Sequence, residues 1–230
     1  MLHRLRLWDQ LSGQRPDVLI ANSGFVAKRI AKYWRRSAEA VYPPVAMERF
    51  QVSHHSEDFY LTVSRLVPYK RIDLMVSAFA AMPHRKLVVI GDGPELARLR
   101  ASAPANVVLL GAQPDHVVED HLSRCRAFIL AAVEDFGIAP LEAQAAGKPV
   151  IALAKGGALE TLQNPQAEAP TAVFFHEQTA ASLCQAVEEM DRQYPIMDPL
   201  GCRANAERFA PARFREALSM AIQKALEKPS

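Results

Sequence analysis

The chain has 230 residues, of which half are hydrophobic, 23% charged and 7% aromatic, a composition that excludes disordered, collagenous and fibrous classes. Lys and Arg number 27 against 25 Asp and Glu, and so near a balance excludes a chain-wide nucleic-acid binder. Cys125, Cys184 and Cys202 form neither a zinc pattern nor a disulfide framework, which points to a reducing cytoplasm.

No apolar run reaches the roughly 18–20 residues of a membrane span. The opening MLHRLRLWDQLSG does not read as a signal peptide, because Arg4, Arg6 and Asp9 interrupt any apolar core. Charge is nevertheless unevenly spread. Residues 1–36 carry eight basic groups against Asp9 and Asp17, while the remainder is net acidic.

In chain order, short apolar runs predict strands at Asp17–Asn22, Phe59–Ser64, Lys86–Gly91, Asn106–Gly111, Ala127–Val133, Pro149–Leu153 and Thr171–Phe175. Several are apolar on both faces, as strands covered by helices on each side are. Between them lie helical patterns. Phe25–Arg36 sets Val26, Ile30 and Trp34 on one side, with Lys28, Arg29, Lys32, Arg35 and Arg36 elsewhere. It suits a domain helix with its apolar side inward, or contact with an anionic membrane surface. The Tyr42-Pro43-Pro44 run predicts a linker or turn. Ile72, Met75, Val76 and Phe79 recur at helical spacing, Pro94 and Pro114 open further helices, and 179–192 and 211–227 are amphipathic. The stretch 164–170 reads as a surface loop. Strand–helix alternation of this kind indicates an α/β fold, a doubly wound parallel sheet.

Ligands of such sheets bind beyond the carboxyl ends of the strands. Four loops there carry unusual residues. Ser64–Arg71 brings Arg65, Lys70 and Arg71 after a buried strand; Arg65 could hold a phosphate bidentately and Lys70 as a point charge, or both could be solvated helix-start residues. Gly91 and Gly93 allow close backbone approach to a ligand, or simply a tight turn. The run Glu134-Asp135-Phe136-Gly137-Ile138-Ala139-Pro140-Leu141-Glu142 puts a helix N-terminus, an anion site, between two carboxylates. That suits a ligand with an anionic middle and hydroxylated ends; alternatively Glu142 merely complements the helix dipole from its first turns and Glu134 is exposed. The fourth, Lys155-Gly156-Gly157-Ala158-Leu159-Glu160, is another glycine turn before a helix. The seven histidines show no metal spacing, and neither Ser23 nor Ser64 has an identifiable base.

In order and spacing these loops resemble the retaining glycosyltransferases of family 4, group 1, which have the GT-B fold. The matching stretches are SRLVPYKRIDL, VVIGDGPE, the E-x7-E run with its continuation AQAAGKPVIA, and GGALETL. The likeness extends over about residues 17–226, in a style similar to mannosyltransferases that build bacterial surface polysaccharides.

The resemblance implies a Rossmann-like C-terminal GT-B domain that binds a nucleotide-diphosphate sugar, GDP-mannose-like or a UDP-sugar, for retaining transfer to a glycan or lipid-linked acceptor. By position, Arg65 and Lys70 would clamp the diphosphate. Glu142 would hold the ribose hydroxyls. Glu134 would hold hydroxyls of the transferred sugar and serve as the catalytic carboxylate. Phe136 and the backbone amides of Gly137, Ile138 and Ala139 would line the sugar and phosphate. Gly91 and Gly93 would border the donor, and Gln113 in the loop Gly111–Pro114 would lie against the base. No metal and no cofactor beyond the co-substrate is expected.

Most of the acceptor-binding domain of such enzymes has no counterpart in this sequence. Residues 1–40 resemble its tail and linker, 41–205 the donor domain, and 206–230 a crossover helix. An acceptor-domain subunit, or homodimerisation, would complete it; the alternative is a non-catalytic nucleotide-sugar-binding module that works with such a partner. The implied location is cytoplasmic, with peripheral contact at the inner face of the membrane. Arg71 stands where many members have glycine, either adding a phosphate contact or pointing to solvent. Ala172 follows a loop where a glycine turn is commoner.

Overall fold

Runs of β-branched and aromatic residues with no interior Gly or Pro build the central sheet. The computed structural model describes residues 2–162 and 170–227, so the candidate loop at 164–170 lies, but for Pro170, outside the described residues. Two units are distinct: one joins the residues up to Pro44 with those from Phe209 onward, and the other is Val45–Arg208.

In the first unit, helix α1 (Leu2–Ser12) leads to strand β1 (Ile20–Ala21), helix α2 (Gly24–Trp34) and strand β2 (Glu39–Ala40), which pairs parallel to β1. Helix α10 (Pro211–Leu226) closes the chain. The strand expected at Asp17–Asn22 therefore shrinks to two residues, because its parallel partner offers only two. Buried Ser23 caps α2, its hydroxyl accepting from Val26 N at 3.1 Å. The helix ends at Trp34, short of the expected Arg36, because Arg35 turns left-handed with φ 54°. Arg36 then donates to Gly13 O at 3.1 Å and Asp17 O at 3.0 Å, tying down the loop before β1. No residue of α1 or α2 is buried, and Leu2, Leu5, Leu7, Trp8 and Leu11 of α1 are exposed.

The second unit holds six parallel strands: β3 (Phe59–Val63), β4 (Lys86–Ile90), β5 (Val107–Gly111), β6 (Ala127–Leu130), β7 (Val150–Leu153) and β8 (Ala172–Phe175). Their order is β5-β4-β3-β6-β7-β8. The chain builds outward from β3 in one direction, then returns to build from β6 in the other. The switch point is thus the β3–β6 seam, where an open α/β sheet leaves a crevice between diverging connections. The helices are α3 (Ile72–Ala80), α4 (Leu96–Ser102), α5 (Asp115–Arg124), α6 (Ile138–Ala145), α7 (Ala158–Thr161), α8 (Ala180–Gln193) and α9 (Pro199–Glu207).

Both faces of the sheet are buried, which explains the apolar strand sequences. Tyr60, Leu87, Val89, Ile129, Ile151 and Val173 join α3 and α8 in one core, while the alternate residues Leu61, Val88, Phe128 and Val150 are also buried. On the helical layers α3 packs against α8, and α6 against α9. Full burial of a side chain such as Phe79 or Phe128 contributes roughly 1.5–3 kcal/mol.

Strand β6 stops at Leu130 rather than at Val133, since Ala131 already leaves the ladder and accepts from Gln178 Nε2 at 2.8 Å. Helix α9 was not foreseen. Its signal is present nonetheless: Asp198 accepts from the amides of Leu200 and Gly201, both at 3.0 Å, and Pro199 occupies the first turn.

Candidate functional site

Because the six strands are parallel, their carboxyl ends lie along one edge, and the four loops read from the sequence all leave from it. The loops after β3 and β6 are neighbours across the switch point. That adjacency brings Lys70 and Glu134 into contact, Lys70 Nζ donating to Glu134 Oε1. Both side chains are largely withdrawn from water, at 21% and 17% exposure, so the pair is shielded enough to be held in place.

Lys70 does not stand at the start of a helix, as the sequence suggested. It ends a single 3₁₀ turn, Pro68–Lys70, and Arg71 follows in a left-handed conformation at φ 57° before α3 begins at Ile72. Left-handed backbone is where glycine is at ease. Here the Arg71 side chain folds back to Asp73, Nε to Oδ1 at 3.3 Å. Arg65 is exposed at the same edge, and among the described contacts none joins its guanidinium to Lys70 or Glu134.

The Glu134 loop is propped from below by the loop after β7. Gly156 forms a parallel bridge with Glu134, and Gly157 N donates to Glu134 O at 2.8 Å. A Cβ on Gly156 would sit 2.4 Å from Glu134 O, and one on Gly157 2.5 Å from Asp135 O. The fourth loop therefore earns its glycines by close backbone approach to the third. The pair Gly91 and Gly93 has a similar explanation. At φ 137° and 159°, their Cβ atoms would lie 1.8 Å from Ser64 O and 2.3 Å from Leu66 O. They let the β3 and β4 loops run on side by side, with Ser64 N bonded to Ile90 O and Leu66 N to Asp92 O.

Beyond Glu134, Phe136 is buried at 3% exposure, so its ring is part of the packing rather than the site surface. Gly137 takes φ 92° and caps α6, with Ile138 exposed on the first turn and Ala139 half-buried. First-turn amides of a helix have no intrahelical acceptor. They and the α6 dipole favour an anion at that end.

Glu142 lies one turn into α6, and it is not solitary. Arg49, from the 3₁₀ turn Met47–Arg49, directs Nη1 at Glu142 Oε1 at 3.8 Å, Nε at Glu119 Oε1 at 2.9 Å and Nη2 at Asp115 Oδ2 at 3.1 Å. Burial pushes the Glu142 carboxyl above the ordinary glutamate range; Arg49 pulls it back, and Asp115 and Glu119 push it further up. Arg49 was missed because nothing in its local sequence marks it; only the fold sets it against α5 and α6. Gln113 precedes α5 and donates through Nε2 to Leu110 O at 2.9 Å, which fixes its own loop. Among the described residues, no group of three His, Cys, Asp or Glu could hold a metal ion, and no helix is long and apolar enough to cross a membrane.

A six-stranded parallel sheet with the switch-point loops facing one edge is the architecture of GT-B glycosyltransferase structures, and the chain carries that fold. It belongs to the glycosyl transferases group 1 family, whose profile matches residues 46–199. Among curated relatives, it is 24% identical to the alpha-1,3/1,6-mannosyltransferase ALG2 of Saccharomyces cerevisiae, covering 96% of this chain and 56% of that protein. It is 30% identical to the GDP-mannose-dependent alpha-(1-6)-phosphatidylinositol monomannoside mannosyltransferase of Mycobacterium tuberculosis, over 66% of this chain and 48% of that one. Among solved structures, Anabaena HepE in complex with UDP and glucose superposes with a TM-score of 0.79 at 20% identity, over 93% of this chain and 64% of HepE. The chain thus spans about half the length of these curated relatives.

Proposed function

We propose that the second unit binds the nucleotide-diphosphate sugar donor of a retaining glycosyltransferase. The observation that carries this reading is the Lys70–Glu134 contact across the β3–β6 switch point, beside the amide end of α6. One cation and a row of amide donors offer an anion site, and a carboxylate on each side offers acceptors for hydroxyls.

In this reading Lys70 and the exposed Arg65 neutralise the diphosphate, and the amides of Gly137, Ile138 and Ala139 cap it. Glu134 accepts from hydroxyls of the sugar and faces the positive charge that develops at the anomeric carbon. Glu142 accepts from the ribose, and the Gly111–Pro114 loop with Gln113 borders the base. The bond from the anomeric carbon to the phosphate oxygen breaks while the acceptor oxygen bonds to the same face. The acceptor proton passes to the departing diphosphate. Cations and amides stabilise that leaving group, so the reading assigns no metal and no cofactor besides the donor. The mannosyltransferase relatives favour GDP-mannose as donor, and the UDP found with HepE keeps a UDP-sugar in play. The acceptor is a glycan or a lipid-linked saccharide of a bacterial surface polysaccharide.

Isothermal titration with UDP, GDP and ADP tests the reading; the absence of binding by all three at millimolar concentration sinks it. Glu142→Ala weakens the nucleotide that binds by about 1–3 kcal/mol, the value of a carboxylate accepting hydroxyl donors.

A second reading, a nucleotide-sugar-binding module completed by a separate acceptor-domain subunit or by a second copy, is favoured by the exposed apolar residues of α1, Leu2, Leu5, Leu7, Trp8 and Leu11. Light scattering of the purified chain separates the two: a strictly monomeric chain that transfers sugar unaided removes the need for a partner.

A further inference from the structure

We infer that Arg49 is a positioning residue for the nucleoside end of this site, tying the Glu142 carboxylate on α6 to the start of α5. The inference rests on the reading that Glu142 receives ribose hydroxyls.

The guanidinium has three nitrogens, and each faces a different carboxylate: Nη1 faces Glu142 at 3.8 Å, Nε faces Glu119 at 2.9 Å and Nη2 faces Asp115 at 3.1 Å. A planar guanidinium spreads its donors over three separated nitrogens, so it faces three carboxylates from different directions, whereas an ammonium must gather its acceptors around one atom. Arg49 is itself held from behind, its guanidinium lying 5.4 Å from the centroid of the Phe50 ring. The consequence for α5 is direct. Asp115 is the first residue of that helix, immediately after the Gly111–Pro114 loop that borders the base in the proposed reading. Arg49 therefore holds the ribose carboxylate in place beside the start of α5.

It also governs charge. The groups facing Glu142 are Arg49 from the 3₁₀ turn and Asp115 and Glu119 from α5. With Arg49 removed, two like charges and burial remain, and the proton is retained to higher pH. A protonated carboxyl can no longer accept from both hydroxyls of a ribose.

The test uses the full chain with Arg49→Gln and Arg49→Lys, each checked for native circular dichroism, and two readouts. The first, free of any ligand, is the titration of Glu142 followed by its carboxyl carbon in NMR. Its midpoint rises in Arg49→Gln, and less in Arg49→Lys. The second is affinity for GDP or UDP, whichever the wild type binds, against the 2′,3′-dideoxy form of that nucleotide. Arg49→Gln weakens the ribose form about tenfold and the dideoxy form little, and it adds nothing to Glu142→Gln. An unmoved Glu142 midpoint, or equal losses for both nucleotides, overturns the inference even while the site binds nucleotide. A wild type that binds none of these nucleotides overturns the reading of the site, and the ribose role with it.

Discussion

Lys70 and Glu134, 64 residues apart in sequence, form a shielded ion pair where the connections from β3 and β6 diverge. The pair neutralises itself when no anion is bound. In the proposed reading, an incoming diphosphate would compete with Glu134 for the ammonium and release Glu134 toward the sugar. Lys70→Met should weaken nucleoside diphosphate binding by about 1.5–3 kcal/mol, the value of a hydrogen bond to a charged group. Glu134→Gln should hold or raise nucleoside diphosphate affinity, since Lys70 loses its competing carboxylate, while removing sugar transfer. Calorimetry with UDP or GDP beside a transfer assay reads both. Parallel losses of binding in the two variants contradict the arrangement.

The prop under Glu134 is equally specific. Gly157 has ordinary backbone angles, yet a Cβ there meets Asp135 O at 2.5 Å and Phe136 Cα at 2.7 Å. Both obstacles are backbone, so Gly157→Ala must push the Glu134–Phe136 segment away from β7. Donor affinity is expected to drop by a larger factor than fold stability, measured as nucleotide titration against urea midpoint.

Gly91→Ala is the structural counterpart. Its Cβ would meet Ser64 O at 1.8 Å at a φ of 137°, which no alanine accommodates. The β3–β4 ladder must open, at a cost of about 3 kcal/mol or more. A urea midpoint within experimental error of wild type contradicts the close approach.

Lys148 supplies a prediction away from the strand ends. Its side chain is 1% exposed, and the ammonium donates to Ser53 O at 3.1 Å, His55 O at 2.5 Å and Ser56 Oγ at 2.9 Å. Burial holds it below the ordinary lysine range, with the neighbouring Cys125 and Cys202 acting in the opposite sense. Lys148→Met keeps most of the apolar stem but removes the donor to Ser53 O, while His55 O and Ser56 Oγ still accept from Ser53 Oγ and the Tyr194 hydroxyl. Stability should fall by about 2–4 kcal/mol in urea titration, with nucleotide affinity little changed at denaturant concentrations where the fold persists.

The pH dependence follows from Glu142. Burial, the largest cause, raises its pKa, and Arg49 offsets this only in part. Acceptance from ribose requires the carboxylate. If Glu142 takes the proposed role, nucleotide affinity is expected to be fully present above the raised pKa and to fall as pH drops through it. Stability moves the other way: the folded form binds this proton more readily than the unfolded chain, so the Glu142 contribution to stability rises as pH falls. Nucleotide titrations run downward from neutral pH should show a steeper loss of affinity in wild type than in Glu142→Gln.

Much of the fold was legible in the sequence. The six strands of the main sheet were marked by apolar runs, because strands buried on both faces carry few polar residues. Short elements were harder. Strand β2 has two residues, too few for any pattern, and α9 is announced only by Asp198-Pro199. Lys70, Glu134, Gly137 and Glu142 stand out because each follows a strand end.

What the local chain could not supply was the meaning of several of those residues. Gly91, Gly93, Gly156 and Gly157 read equally as ligand clearance or tight turns, and the structure gives each a neighbouring backbone that a Cβ would strike. Phe136 stands in the same run as Gly137, yet its ring is buried.

The sequence by itself determined the parallel α/β sheet and which loops carry charge, since strand burial and helix periodicity are properties of nearby residues. Only the tertiary structure decided that Lys70 meets Glu134 and that Arg49 joins Asp115, Glu119 and Glu142. Those groups are brought together by the reversal of strand order at β3 and β6 and by the packing of α5 beside α6. Contacts of that range depend on how distant segments fold onto one another, and no local pattern encodes them.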